Sequence, residues 1–125
     1  MYQVGTATEV RAFHIMPGVE GPEGVLHSHD YRLEVLVERA ALDERAMVCD
    51  IDLLEEALAS AAAVVREENL EVIQPADADA VTVEVFARWL HGAVADAVRA
   101  GGGEMLTVRV WESPVAFGGY GAPVN

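Results

Sequence analysis

Three of the four histidines of this chain lie between positions 14 and 29, in a pattern that could hold a metal ion. His27 and His29 are separated by one residue. Because side chains alternate along a β-strand, both imidazoles would leave the same face, with Cα atoms about 7 Å apart. His14, at the end of the preceding predicted strand, can supply a third ligand. Three histidines with an open fourth position are typical of catalytic zinc, which polarises a substrate oxygen or lowers the pKa of a bound water. The alternative is a group of histidines that only form hydrogen bonds beneath a loop.

Two carboxylates lie where they could serve such a site. Glu112 follows Val108 and Val110 at the same alternation, so it is predicted to face inward and to need a partner. It could bind a ligand with adjacent N–H donors, such as an aminopyrimidinone ring, through a bidentate contact, or it could form an ion pair with an arginine. Glu23, four residues before His27, could act as a base near a metal, although a solvated side chain is the simpler expectation.

The remaining candidates are better explained by packing. Cys49 is the only cysteine, which excludes an intrachain disulfide and a cysteine-rich metal site. With no histidine near it in sequence, we expect a small buried hydrophobic residue rather than a nucleophile. His91 lies inside a predicted helix and is expected to pack there. Any metal must therefore be held by histidines and carboxylates.

The elements that position these residues follow from hydrophobic periodicity. Residues 3–15 alternate loosely and residues 29–37 alternate cleanly, which predicts two strands with one buried face each. Between them, residues 17–24 contain two prolines and three glycines. This composition is incompatible with regular structure and predicts a long, shaped loop that is well placed for a site.

Two amphipathic helices are predicted next, followed by two strands. Asp50 is the expected N-cap of the first helix and Thr82 that of the second, which the glycines at 101–103 should end. Residues 104–112 alternate again, and the glycine-rich C-terminal segment can add a short closing strand. The resulting order, strand-strand-helix-helix-strand-strand, predicts an α+β fold in which an antiparallel four-stranded sheet carries two helices on one face.

Length and charge restrict what the chain can do. With 125 residues it is predicted to form a single domain over 1–125. It has 8 basic residues, all arginine, against 21 acidic ones, and the net charge of -13 makes nucleic acid and anionic membranes poor partners. No signal peptide or membrane span is recognisable, so we expect a cytoplasmic protein. The exposed edges of so small a sheet predict a homo-oligomer.

Several segments follow one another in an order known from one enzyme family. They are Phe13-His14, His27-Ser28-His29-Asp30-Tyr31, Met47-Val48-Cys49-Asp50-Ile51, Thr82-Val83-Glu84 and Val110-Trp111-Glu112. Over nearly its whole length the chain resembles the 6-pyruvoyl-tetrahydropterin synthase family, which includes the 6-carboxy-tetrahydropterin synthases. The resemblance implies the T-fold, with the element order predicted above, and trimers that stack into hexamers with sites between subunits. It also implies that His14, His27 and His29 hold Zn²⁺ and that Glu112 anchors a pterin ring.

The sequence departs from this family at the catalytic positions. Family enzymes carry a cysteine four residues before the first histidine of the His-x-His pair, where this chain has Glu23. Their Asp-His pair after the first helix aligns with Arg66 and Glu67, so the usual proton relay is replaced. Members with glutamate at the cysteine position resemble dihydroneopterin side-chain cleaving enzymes, but they keep the Asp-His pair.

These observations predict a zinc-dependent, lyase-like enzyme that acts on the side chain of a reduced pterin, with Glu23 as the best remaining general base. The family's usual substrate is dihydroneopterin triphosphate, and the acidity of the chain favours a substrate without the triphosphate. One alternative is a catalytically silent T-fold protein that binds a pterin or a purine. Another is a structural oligomer whose histidines are incidental.

Overall fold

A computed structural model describes residues 1–125 as a four-stranded antiparallel sheet with two helices packed on one face. In chain order the elements are β1 (Tyr2–His14), β2 (His27–Arg39), α1 (Ile51–Val65), α2 (Val83–Ala100), β3 (Met105–Trp111) and β4 (Phe117–Pro123). The strands lie in the order β1-β2-β3-β4, and each pair of neighbours is antiparallel. The predicted α+β fold and element order are confirmed. A short 3-10 turn at Pro22–Gly24 lies in the loop expected to be irregular, and a second one, at Leu70–Ile73, lies between the two helices.

The alternation along β2 produces the buried face of the sheet. Tyr31, Leu33, Val35 and Val37 are each at most 1% exposed, whereas the residues between them are partly or fully exposed. Val10 of β1 lies opposite Tyr31, so the buried rows continue across neighbouring strands. Burial of these apolar side chains against the helices is the main stabilising contribution to the fold.

Both helices begin at the predicted caps. The Asp50 carboxylate accepts a hydrogen bond from the Asp52 N–H at 2.9 Å, and the Thr82 hydroxyl accepts one from the Val85 N–H at 3.1 Å. Each helix buries one stripe: Leu54, Leu58, Ala61, Ala62 and Val65 in α1, and Phe86, Ala87, Leu90, His91, Val94 and Val98 in α2. After α2, Gly102 adopts a φ of 91°, a conformation that glycine reaches without strain. Neither helix has the length and apolar character needed to span a membrane.

The two edges of the sheet are β1 and β4. Only the end of β1 near His14 is covered within the chain. There the Glu67 N–H donates to the Arg11 carbonyl at 2.7 Å, and the Phe13 N–H donates to the Glu68 carbonyl at 2.9 Å. The segment that follows α1 therefore lies beside the strand that carries His14, while most of β1 and all of β4 have no further strand paired at the outer edge.

Candidate functional site

The register between β1 and β2 brings the three histidines together. His14 lies directly opposite His27, and His29 lies opposite Ala12, one step along the same face. The ring centroids of His14 and His27 are 4.4 Å apart, those of His27 and His29 are 4.9 Å apart, and those of His14 and His29 are 5.2 Å apart. The last two rows on one face of the sheet thus bring three imidazoles into a cluster.

Each imidazole contributes a buried nitrogen that has no hydrogen-bond partner. The three atoms are Nε2 of His14, His27 and His29. Together with a carboxylate oxygen of Glu23, the potential ligand atoms of these residues all lie within 4.8 Å of one another. A buried polar atom without a partner costs about 1–3 kcal/mol, so three of them this close together require another explanation. The donor set fits a metal ion that prefers imidazole nitrogen, such as zinc.

Backbone carbonyls orient two of the rings. Nδ1 of His27 lies 2.7 Å from the Val25 carbonyl, and Nδ1 of His14 lies 3.4 Å from the Val81 carbonyl. A carbonyl only accepts, so Nδ1 carries the proton and Nε2 keeps its lone pair. Burial lowers the pKa of His14, which keeps its imidazole neutral at neutral pH. Neutral imidazole is the form that binds a metal.

The loop between β1 and β2 places Glu23 in this cluster. Glu23 lies in the 3-10 turn Pro22–Gly24, and its carbonyl accepts a hydrogen bond from the Met16 N–H at 2.8 Å. One carboxylate oxygen is 2.9 Å from Nε2 of His27 and 3.8 Å from Nε2 of His14, although half of the side chain remains exposed. Glu23 thus contacts two of the histidines while half of its side chain is in solvent.

Gly24 is the residue that allows this loop to close, and replacing it should displace Glu23. A Cβ at position 24 would lie 1.8 Å from the Val19 carbonyl oxygen. We expect Gly24→Ala to lower the free energy of unfolding by about 1–3 kcal/mol, because the backbone must shift to make room. Thermal unfolding measures the loss of stability, and zinc titration measures the effect of displacing Glu23. Gly92→Ala, whose Cβ would meet nothing within 4 Å, is the matched control. Equal behaviour of the two variants would contradict the assigned role of Gly24.

Glu112 approaches the cluster from the neighbouring strand. β3 ends at Trp111, which pairs with Arg32, and Glu112 follows it as a half-buried residue whose charge acts on Tyr31. His29 and Glu112 line the same cavity, which measures about 890 Å³. Glu112 forms no ion pair with an arginine, which leaves its carboxylate available to a ligand.

Tyr31 also belongs to this region, although the sequence indicated only a core residue. Its ring contacts those of His29 and Phe86, with centroids 5.4 Å and 5.2 Å away, and its buried hydroxyl has no hydrogen-bond partner. Burial, together with the charges of Glu112 and Glu23, raises the pKa of Tyr31, so the hydroxyl stays protonated as a donor. A polar residue two positions after His29 on the inward face was the signal available in the sequence.

Arg66 and Glu67, at the positions of the relay pair, do not join the cluster. Arg66 is the C-cap of α1. Glu67 has a φ of 57° and its carboxylate lies 3.7 Å from the Arg11 guanidinium, with both side chains more than half exposed. Within one chain, these two residues supply no acid–base pair to the histidines.

Cys49 and His91 are packed elsewhere in the fold. Cys49 is 4% exposed, and burial raises the pKa of its thiol, which opposes a role as a nucleophile. His91 is 8% exposed, with Nε2 3.2 Å from the Ala122 carbonyl of β4. Both residues serve the contact between elements.

Comparison with known proteins places this geometry in context. The sequence profile of the family described as 6-pyruvoyl tetrahydropterin synthase matches residues 3–122. Among solved structures, Plasmodium falciparum 6-pyruvoyl tetrahydropterin synthase is similar with a TM-score of 0.80 at 13% identity, covering 98% of each chain. The Caenorhabditis elegans 6-pyruvoyl tetrahydropterin synthase has a TM-score of 0.70 at 16% identity, covering 97% of this chain and 95% of the other.

A protein from Wolinella succinogenes, described as uncharacterized, has a TM-score of 0.73 at 15% identity, with 95% of this chain and 97% of the other covered. No curated protein matches the sequence. The structural matches cover nearly the whole of both chains, so the fold is shared from the first strand to the last.

Proposed function

Because the chain belongs to the 6-pyruvoyl tetrahydropterin synthase family, we propose that it is a zinc-dependent, lyase-type enzyme acting on the side chain of a reduced pterin. One observation carries the proposal: the Nε2 atoms of His14, His27 and His29 lie close together without a hydrogen-bond partner, and His29 lines a cavity that Glu112 also lines. We also propose that residues 1–125 form one T-fold domain and that the protein is located in the cytoplasm.

The histidines are proposed to hold the ion through their Nε2 atoms. Zinc bound there supplies a Lewis acid that polarises a side-chain oxygen of the substrate. The carbonyls of Val25 and Val81 keep His27 and His14 in the tautomer that binds metal. These backbone contacts fix the direction of the lone pairs before any ion arrives.

Glu23 is proposed as the general base. It is the one carboxylate within the histidine cluster, and Arg66 and Glu67 offer no alternative in the same chain. Solved variants of Plasmodium vivax 6-pyruvoyltetrahydropterin synthase replace a catalytic glutamate by cysteine or by alanine. This supports a glutamate as a catalytic group in the family. Glu23 would take a proton from the side chain of the pterin.

Glu112 is proposed to bind the pterin ring. A carboxylate accepts two parallel hydrogen bonds from the adjacent N–H groups of an aminopyrimidinone, and this geometry also orients the ring. The Tyr31 hydroxyl, a protonated donor without a partner in the chain, is available to an acceptor on the same ligand. Together these residues would direct the side chain of the pterin toward the histidines.

The charges around the cavity favour a substrate without a triphosphate. Its lining includes one arginine, Arg32, and four carboxylates, which are Glu9, Asp30, Glu34 and Glu112. The whole chain has a net charge of -13 and no lysine. A triphosphate needs several cations in close contact, so dihydroneopterin is the better candidate.

The proposed assembly is a homo-oligomer, with a hexamer of two stacked trimers as the form implied by the family. The free edges of β1 and β4 support it, because unpaired strand edges favour pairing with another strand. The alternative function is a catalytically silent protein that binds a pterin or purine at the same site, and the replaced relay positions favour that alternative.

Turnover by the wild type and by Glu23→Gln distinguishes an enzyme from a silent binder. Each protein, saturated with zinc so that occupancy is equal, is incubated with dihydroneopterin and with its triphosphate, and the products are identified by mass spectrometry. We expect the wild type to convert dihydroneopterin and the variant to be at least about 100-fold slower, because a positioned base contributes about 10²–10⁴-fold.

The other outcomes have separate meanings. Unchanged ligand affinity and product formation in Glu23→Gln would remove the catalytic role of Glu23. Binding without product from either substrate would favour the silent protein. Turnover of the triphosphate at rates typical of enzymes would refute the argument from charge.

A further inference from the structure

We infer that Glu23 is the fourth metal ligand of the substrate-free protein, so that the site is closed until a substrate displaces the carboxylate. The inference rests on the proposed zinc site of His14, His27 and His29. It differs from the arrangement predicted from the sequence, in which three histidines leave an open fourth position.

The two nitrogens of His27 lie close to two different acceptor oxygens. Its Nδ1 lies 2.7 Å from the Val25 carbonyl oxygen, and because that oxygen can only accept, Nδ1 must carry the proton. In the tautomer that carries only this proton, Nε2 presents a lone pair, and a Glu23 carboxylate oxygen lies 2.9 Å from it. Two acceptor atoms at this separation repel each other unless a cation lies between them.

The contact between His27 and Glu23 does not have the geometry of a hydrogen bond. Although Nε2 of His27 and the Glu23 oxygen are close, their alignment is not that of a hydrogen bond, and Nε2 has no hydrogen-bond partner. The same oxygen is 3.8 Å from Nε2 of His14, which also has no partner. The contact is therefore not a proton bridge, and both Nε2 atoms remain available to an ion that also binds the Glu23 oxygen.

The distances from the Glu23 oxygen to the two Nε2 atoms are close to those between the ligands of a zinc ion. With bonds of about 2.0–2.1 Å, the ligand atoms of a tetrahedral zinc site lie about 3.3 Å apart. The distances of 2.9 Å and 3.8 Å from the Glu23 oxygen to the two Nε2 atoms lie on either side of that value. A carboxylate oxygen is an accepted zinc ligand, so three imidazoles and Glu23, whose ligand atoms all lie within 4.8 Å of one another, supply the four ligands that zinc takes.

The loop that carries Glu23 allows the carboxylate to leave. Half of the side chain is exposed, and the turn that holds it follows Gly18 and Gly21, whose φ angles are 75° and 87°. A substrate oxygen that takes the fourth position would release Glu23 beside the reacting side chain. The same residue would then close the site at rest and act as the base during reaction.

Metal binding tests the inference without any measurement of activity. Zinc affinity is determined by competition with a chelator of known affinity for metal-free wild type, Glu23→Gln and Glu20→Gln. Glu20 is an exposed carboxylate in the same loop, and its replacement makes the same change of charge. We expect Glu23→Gln to bind zinc at least about 10-fold more weakly, since even an outer partner of a ligand contributes about 10–100-fold. Glu20→Gln should bind like the wild type.

Cobalt provides a second measurement. The visible absorption of Co²⁺ bound to the wild type should not change when azide is added, because the fourth position is occupied, whereas the spectrum of Glu23→Gln should shift. Equal zinc affinities of wild type and Glu23→Gln, or equal responses to azide, would overturn the role of Glu23 and leave the three-histidine site intact. If the wild type binds neither metal, the proposed function fails as well.

Discussion

Replacing His29 by alanine is expected to weaken zinc binding by at least about 100-fold, because loss of a direct ligand should exceed the 10–100-fold cost of losing an outer partner. The Nε2 atom of His29 is buried and has no hydrogen-bond partner, so its removal leaves no other buried group without a hydrogen bond. The metal-free variant should therefore fold, and circular dichroism can verify this. Isothermal titration with zinc after removal of bound metal measures the loss.

His91→Gln is the control for a general effect of removing a histidine. His91 lies in α2, and glutamine can still donate a hydrogen bond to the Ala122 carbonyl that His91 contacts. We expect zinc affinity like that of the wild type. If His29→Ala binds zinc as tightly as His91→Gln does, the three-histidine site does not exist as described.

Glu112→Gln is expected to weaken binding of dihydroneopterin by about 10- to 100-fold while leaving zinc affinity unchanged. A hydrogen bond to a charged group contributes about 1.5–3 kcal/mol. Glutamine keeps one acceptor oxygen, but an NH₂ donor takes the place of the other, so one of the two hydrogen bonds from the ligand is lost. Glu112 lines the same cavity as His29, but it is not part of the metal cluster. Ligand affinity and metal affinity should therefore separate in this variant.

Glu55→Gln makes the same change of charge on the exposed face of α1 and is the matched control. Titration of both zinc-loaded variants with dihydroneopterin, followed by fluorescence, gives the two affinities. Equal affinities for Glu112→Gln and Glu55→Gln would contradict the role of Glu112 in recognition, and a parallel loss of zinc would place Glu112 in the metal site instead.

The fold could be predicted from the sequence where local physics decides. The alternation of β2 predicted the buried positions Tyr31, Leu33, Val35 and Val37, and the polar residues Asp50 and Thr82 predicted where the helices begin. In these cases the pattern of apolar side chains and the capping hydrogen bond depend on neighbouring residues only.

The parts of the site that could not be predicted depend on contacts between distant residues. The pairing of His14 with His27 is set by the register of two strands joined by a long loop, and the alternation of each strand alone does not determine it. The contact between Glu23 and His27 depends on the path of that loop, including a close approach at Gly24. A solvated Glu23 was the simpler expectation for this reason.

Tyr31 and Glu112 illustrate an intermediate case. Alternation predicted that both face inward; Tyr31 is 1% exposed, and Glu112 is half-buried just after the end of β3. β3 ends at Trp111, and Glu112 therefore lies at the border of a cavity that His29 also lines. This end of the strand depends on strand pairing and not on alternation. The sequence could indicate an inward carboxylate without indicating what it faces.

The metal content of the protein tests the central claim most directly. Untagged protein, purified without a histidine tag and freed of loosely bound metal by gel filtration, is analysed by inductively coupled plasma mass spectrometry. We expect one zinc ion for each chain, lost in His29→Ala and kept in His91→Gln. Zinc well below one per chain in the wild type, both as purified and after incubation with zinc, would contradict the account and favour a structural oligomer whose histidines are incidental.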